Sequence, residues 1–317
     1  MGAGPDLEPR LLGFKKIKRK LFINKKHSMQ TINRRKFFST TTKVGAAAIV
    51  LSKLPAEFFS NAKANNMPLG FQSWTIKDKL SADFPGTLKM MADLGYRSIE
   101  MCSPKGYEQI GFGAFTKMKN SDIRKTIEDA GMKCPSCHFG AAEFSDENID
   151  DRIQFAKDLG MTQMICSTFW LPKTATISDY QASADKLNKA GEKIKKAGLQ
   201  AGFHNHDFEF VKIDGQLIYD ALLARFDPDL VKLQFQTQVI VHGYKAADYF
   251  TKYPGRFISA HLSDWTADKK EAAVGQGIID WKEFFAAAKT GGVKNIFVEM
   301  AEDKFKDSAT YLQKMYA

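Results

Sequence analysis

The chain has 317 residues, enough for one large domain or two modest ones, and its 44% apolar content with 23 glycines fits a globular protein and excludes a disordered or fibrous one. The formal charge of +10 is concentrated near the N-terminus: residues 1–64 hold 14 of the 46 Lys/Arg and 3 of the 36 Asp/Glu, leaving 32 basic and 33 acidic residues in 65–317. A balanced body lacks the basic surface of a phosphate-backbone binder, so nucleic acid is not an expected partner.

The basic segment has the order of an export signal. Asn33-Arg-Arg-Lys-Phe-Phe38 precedes the apolar run Val44–Leu51, and Asn61-Ala-Lys-Ala64 offers the small residues a signal peptidase reads. The pair Arg34-Arg35 resembles a twin-arginine signal, which implies a periplasmic or otherwise exported protein handled by export machinery. The apolar run is far shorter than the roughly 20 residues of a spanning helix, so no stable membrane anchor is expected. Residues 1–28 lie upstream of the signal, with Met29 a candidate start. The leader is therefore 1–64 and the domain 65–317.

From Leu69 the pattern repeats as apolar strand, polar loop, amphipathic helix. Leu69–Trp74 reads as strand one and Phe84–Leu94 as its helix. Tyr96–Met101 is strand two, followed by a long loop with three glycines. Ser121–Ala130 is a helix with Ser121 as N-cap, and Met132–His138 is strand three. Asp146–Leu159 is a helix, Met161–Ser167 strand four and Ser178–Ala197 a long helix. Leu199–His204 is strand five, Gln216–Arg225 a helix, Leu230–Gln236 strand six and Lys245–Lys252 a helix. Arg256–Leu262 is strand seven, Trp281–Lys289 a helix behind Asp280, Val293–Glu299 strand eight, and Lys306–Tyr316 closes the chain. Four helices end in the same phrase, a Leu or Ala followed by Gly95, Gly131, Gly160 or Gly198, and a strand begins soon after each.

Eight strand–helix units over about 250 residues match a (β/α)8 TIM barrel in one domain. A doubly wound sheet is the alternative, but it normally carries a glycine-rich phosphate loop after strand one, where this chain has Phe-Gln-Ser-Trp. The four cysteines are Cys102, Cys134, Cys137 and Cys166. Cys134-Pro-Ser-Cys137 has redox-motif spacing but lies inside a strand, and no second zinc-type pair accompanies it, so the cysteines are read as structural.

In such a barrel, chemistry gathers at the C-terminal strand ends. Gln72 and Trp74 fall there on strand one, Glu100 on strand two, His138 on strand three, and His204 and His206 on strand five. Gln236 follows on strand six, His261 and Asp264 on strand seven, and Glu299 on strand eight. His242 lies in the loop after strand six, and no histidine of the domain lies on a helix. Imidazoles and carboxylates at one mouth suit one divalent ion (Mn, Co, Zn or Fe), which polarises a sugar carbonyl while His or Glu moves a proton. Trp74, Phe139, Phe169, Trp170 and Trp265 lie in strand-end loops, where they either stack on a sugar ring or roof the barrel.

His204-Asn-His-Asp-Phe-Glu-Phe210, His261-Leu-Ser-Asp264, Val274-Gly-Gln-Gly-Ile-Ile-Asp-Trp281 and Phe297-Val-Glu299 together resemble the sugar phosphate isomerase/epimerase group of the xylose isomerase-like barrels. The resemblance runs from about Leu69 to the C-terminus. It implies one divalent ion held by Glu, Asp, His and Glu after strands five to eight. His261 and Glu299 match the last two; His204 and Gln236 stand where carboxylates are expected. The implied ligands are therefore His204, Gln236, His261 and Glu299. Glu299, His204, His206 and His138 are the catalytic candidates. Gln72, Trp74, Glu100, Asp264 and Trp265 are the substrate-binding ones. The resemblance implies a sugar isomerase or epimerase first. With two carboxylates missing, a 3-keto-glycoside lyase or hydratase is the alternative, and a non-catalytic sugar-binding barrel the third reading.

Overall fold

A computed structural model describes residues 67–316. The leader and Arg34-Arg35 lie outside the described residues. Eight parallel strands close into a barrel: β1 (Leu69–Gln72), β2 (Ser98–Cys102), β3 (Lys133–Phe139), β4 (Gln163–Cys166), β5 (Gln200–His204), β6 (Val231–Gln236), β7 (Phe257–Leu262) and β8 (Asn295–Val298). β1 pairs with β8 and with β2, so neither is an edge. Around them run α1 (Lys77–Ala82), α2 (Phe84–Asp93), α3 (Asn120–Asp129), α4 (Ile149–Asp158), α5 (Ile177–Lys196), α6 (Ile218–Arg225), α7 (Ala246–Lys252), α8 (Trp281–Gly291) and α9 (Phe305–Tyr316). None of the described helices is long and apolar enough to cross a membrane.

The recurring glycine phrase works as a set of helix stops. Gly95, Gly131, Gly160 and Gly198 all have φ between +73° and +101°, the left-handed conformation that lets a helix release its last carbonyls. At Gly131 and Gly198 a Cβ would meet nothing within 4 Å, so backbone conformation alone favours glycine there. Helix starts are also chemically specific. Thr176 and Asp179 cap α5 reciprocally, and Asp280 accepts from Lys282 N and Glu283 N, both at 3.0 Å, at the start of α8.

Period-two alternation separates two environments. Phe71, Ile99, Phe203, Leu233 and Phe235 are buried against the helix ring. The intervening positions Gln72, Glu100, Ser136, His138, His204, Gln234, Gln236, Ser259 and His261 are buried too, and hydrogen bonds link them to one another across the barrel. The barrel interior is thus unusually polar. Inward polar groups remain stable only when bonded to one another.

Some element boundaries differ from the sequence expectation. Ser121 is not the N-cap of α3: the helix begins at Asn120, and Ser121 Oγ contacts Asp122. Strand one stops at Gln72, whose amide oxygen accepts from Ser73 Oγ and Trp74 N, turning the chain into a 3-10 turn and α1. The helix expected from Gln216 starts at Ile218. Gln216-Leu217 instead pairs with Lys212-Ile213 around Asp214-Gly215, both at positive φ, a hairpin turn. The four cysteines are unpaired and buried, and burial pushes the Cys134 thiol up to about 12, which makes it inert.

Candidate active site

The site grows from Glu100, in the middle of β2. Its carboxylate is completely buried and accepts four hydrogen bonds: from Ser136 Oγ (2.5 Å) and Gln234 Nε2 (2.8 Å) on one oxygen, and from Gln72 Nε2 (2.7 Å) and His261 Nε2 (2.5 Å) on the other. His138 Nε2 lies 3.3 Å away. Burial alone pushes this carboxyl up; the charges of His138 and His261, with bonds from His261 and Ser136, outweigh it and hold the group at about 2.

Above it stands His261, fully buried between two carboxylates. Its Nδ1 lies 2.9 Å from Glu299 Oε2, which also accepts from Gln236 Nε2 at 2.6 Å. Burial opposes protonation of this ring, yet Glu299 and Glu100 raise it to about 9. Glu299 in turn is held below the usual carboxylate range by His261, against the opposing effect of burial. Its side chain is 17% exposed where that of Glu100 is 0%, and its Oε1 has no hydrogen-bond partner among the described residues.

Two more imidazoles complete the cluster. His138 Nε2 and His204 Nδ1 both contact Gln234 Oε1, at 2.6 and 2.9 Å. One ring nitrogen from each of His138, His204 and His261 lies within 4.8 Å of the others. Burial lowers His138, and lowers His204 well below the ordinary imidazole value, with the neighbouring histidines adding to the effect. His206 packs its ring 4.8 Å from His204 and stacks on Phe208 at 5.0 Å. Burial lowers it to about 4, and its Nδ1 is buried without a partner. The mouth therefore presents neutral imidazoles beside one accessible carboxylate. That donor set suits a borderline divalent ion, so the residues present fit the metal that the fold implies.

The sequence-derived candidates divide into two groups. His138, His204, His261, Glu299, Gln236, Glu100 and Gln72 form one bonded network. Gln236 turns its amide nitrogen to Glu299 and its oxygen to Ser263 Oγ at 3.0 Å. Asp264 stands apart: it is fully buried and accepts from Gly275 N, Gly277 N, Ile279 N, Trp281 Nε1 and Trp265 N at 2.8–3.3 Å. Its oxygens organise the Val274–Trp281 loop instead of facing a substrate. Glu100 also has no acceptor capacity left for a sugar. Trp74 packs edge-on against Tyr107, and Trp265 is half-buried with Nε1 unpartnered. Among the other aromatics Phe139 is core, Phe169 packs on Phe203, and Trp170 is 72% exposed. Glu209 is buried, with its carboxyl pushed up to about 8 by burial and one oxygen unpartnered.

Sequence reading passed over Gln234, Ser136 and Ser259. The alternation Leu233-Gln-Phe-Gln236 carried the signal, since it places both glutamines on the inward face of β6.

The same barrel is found in known proteins. An inosose dehydratase from Lacticaseibacillus casei is 25% identical over 151 residues, 41% of this chain and 50% of that protein. The chain thus spans about half the length of the curated relatives it matches. A crystal structure of a sugar phosphate isomerase/epimerase from Parabacteroides distasonis ATCC 8503 has 25% identity and a TM-score of 0.65, covering 83% of this chain and 99% of that one. The IOLI protein, whose structure has a zinc atom bound, shares the fold at 15% identity and a TM-score of 0.54, covering 79% of this chain and 95% of that one. A family model for the xylose isomerase-like TIM barrel matches residues 88–315, from within α2 to α9, and the chain belongs to that family.

Proposed function

We propose that the protein is a carbohydrate lyase or dehydratase that eliminates a group next to a sugar carbonyl, with one divalent ion at the barrel mouth. The observation that carries this reading is Glu299. Of the two carboxylates bonded to the histidine cluster, it alone reaches the mouth, so the chemistry is one-sided. Glu299 Oε2 is fixed by His261 and Gln236, which leaves Oε1 to take the proton from the carbon beside the carbonyl. The carbon–oxygen bond at the next carbon then breaks as the double bond forms, and Glu299 passes the same proton to the departing oxygen. His204, His261 and Glu299 would hold the ion, which would polarise the carbonyl and stabilise the enediolate. His206, neutral and with its ring 4.8 Å from that of His204, stands beside them as a second proton carrier. The partial match to inosose dehydratase supports this reading.

Isomerisation or epimerisation is the second reading, favoured by the likeness to the Parabacteroides isomerase/epimerase over 83% of this chain. Incubation in deuterated water with free hexoses and with 3-keto-glucosides separates the two. Release of the aglycone with formation of a 2-hydroxy-3-keto-glycal supports elimination; deuterium gain on an intact sugar skeleton would overturn it. We also propose export through the twin-arginine leader. Arg34→Lys with Arg35→Lys should then retain the protein in the cytoplasm, and unchanged export would refute it.

A further inference from the structure

We propose that Gln234 is a positioning residue that sets the tautomer of His204, placing its proton on Nδ1 and leaving Nε2 bare. Donor and acceptor chemistry alone fixes this assignment. Glu100 is a carboxylate, which can accept but not donate. The end of the Gln234 side chain that lies 2.8 Å from Glu100 Oε1 must therefore be the NH2 group, and the same group reaches Ser259 Oγ at 2.9 Å. Turning the amide round would set a carbonyl oxygen against the carboxylate. The opposite end of Gln234 is thus a carbonyl oxygen, which also only accepts.

Two histidines meet that oxygen, His138 through Nε2 at 2.6 Å and His204 through Nδ1 at 2.9 Å. Each contact requires the proton to sit on the named nitrogen. For His138 the same assignment follows independently from Glu100 Oε2, another acceptor, 3.3 Å from Nε2. A His204 ring that is 1% exposed and 4.4 Å from the His261 ring carries one proton, not two. With that proton on Nδ1, the lone pair is on Nε2. This atom has no hydrogen-bond partner among the described residues and, unlike His206 Nδ1, is not sealed from solvent.

The wiring runs Glu100 to Gln234 to His204, across β2, β6 and β5. It bears on the proposed function without depending on it: whether His204 binds a metal or moves a proton, Nε2 is the atom that does so. A second layer that fixes the ring in this way is a common requirement of both roles.

The test is two-bond proton–nitrogen correlation NMR on the metal-free full chain labelled with 15N-histidine near pH 7, with His204 and His138 assigned by single substitution. The wild type should show His204 as the Nδ1–H tautomer and His138 as the Nε2–H tautomer. Gln234→Leu removes the acceptor, and His204 should shift to the Nε2–H form that free histidine favours in water. A wild-type His204 protonated on Nε2 overturns the proposal even if the Leu variant fails to fold. A folded Leu variant that retains the Nδ1–H form overturns it as well. No substrate or turnover enters the measurement, so its failure is distinct from failure of the lyase reading.

Discussion

Glu100→Gln is the sharpest single perturbation of this molecule. The native carboxylate accepts from Ser136, Gln234, Gln72 and His261 at 2.5–2.8 Å with no exposure to water. An amide of the same shape offers one acceptor oxygen and one NH2. Turned toward Ser136 and Gln234, the NH2 can donate to the Ser136 hydroxyl but opposes the Gln234 NH2; turned the other way, it opposes both the Gln72 and the His261 donors. Each unsatisfied donor costs about 1–3 kcal/mol, and His261 loses one of its two anions. Breaking a buried charge pair by removing one partner costs about 3–5 kcal/mol, and the two routes agree on roughly that figure. For a domain of this size each kcal/mol moves the melting temperature by about 2–4 °C, so a fall of roughly 6–20 °C is expected. Differential scanning calorimetry on chelator-treated protein reads it. Glu128→Gln, which loses only an exposed pair with Arg124, serves as control and should shift by less than about 2 °C. A Glu100→Gln protein that melts within that same margin would refute the account of the network.

The remaining predictions concern charge and the rim. In metal-free protein, burial depresses His138, His204 and His206, the last to about 4. Their contribution is present above the ordinary imidazole value near 6.5 and is lost as pH falls through the folded values. His261 is raised to about 9, so its contribution is full below about 6.5 and is lost as pH rises through 9. Urea midpoints should therefore peak near neutrality and fall on both sides, and a flat profile from about pH 4 to 10 would contradict the assignments. Gln236→Asp puts a second carboxylate beside Glu299; it should tighten binding of zinc at least tenfold, about 1.4 kcal/mol, while lowering the metal-free melting temperature. Unchanged affinity in a chelator-buffered titration would remove Gln236 from the site. Trp170→Ala should leave stability within about 0.5 kcal/mol because the ring is 72% exposed, yet raise KM severalfold for a ring-bearing glycoside. An unchanged KM would make it a bystander.

The fold was legible because helix stops and strand starts are local. The four Leu-Gly or Ala-Gly phrases mark left-handed caps, and they recur at the spacing of a barrel unit. The site was legible in outline because strand ends share one mouth once the barrel is closed. What escaped was partner choice. Asp264 sits where a substrate ligand belongs, but the loop folds back to claim both its oxygens, Gly275, Gly277 and Trp281 donating to Oδ2 and Ile279 N to Oδ1. That return path depends on tertiary contacts, including a Gly277 whose Cβ would collide with Asp264 Oδ1 at 2.1 Å. Gln234 was missed for the opposite reason. A glutamine is chemically mute until its neighbours decide which end donates.

Glu100 also changes how the missing carboxylates are understood. With His204 and Gln236 in place of acids, the mouth looks too weakly charged for a divalent ion. Glu100 and Glu299 are both held ionised and His261 carries a proton between them, a net charge of −1 in the metal-free state. An ion that displaces the Nδ1 proton of His261 meets a net charge of −2, half of it one layer down and relayed through the imidazole. Binding would then release one proton, and affinity would rise tenfold per pH unit below the His261 value near 9. Half of the negative charge such an ion would meet therefore sits not at the mouth but on Glu100, in the buried middle of β2.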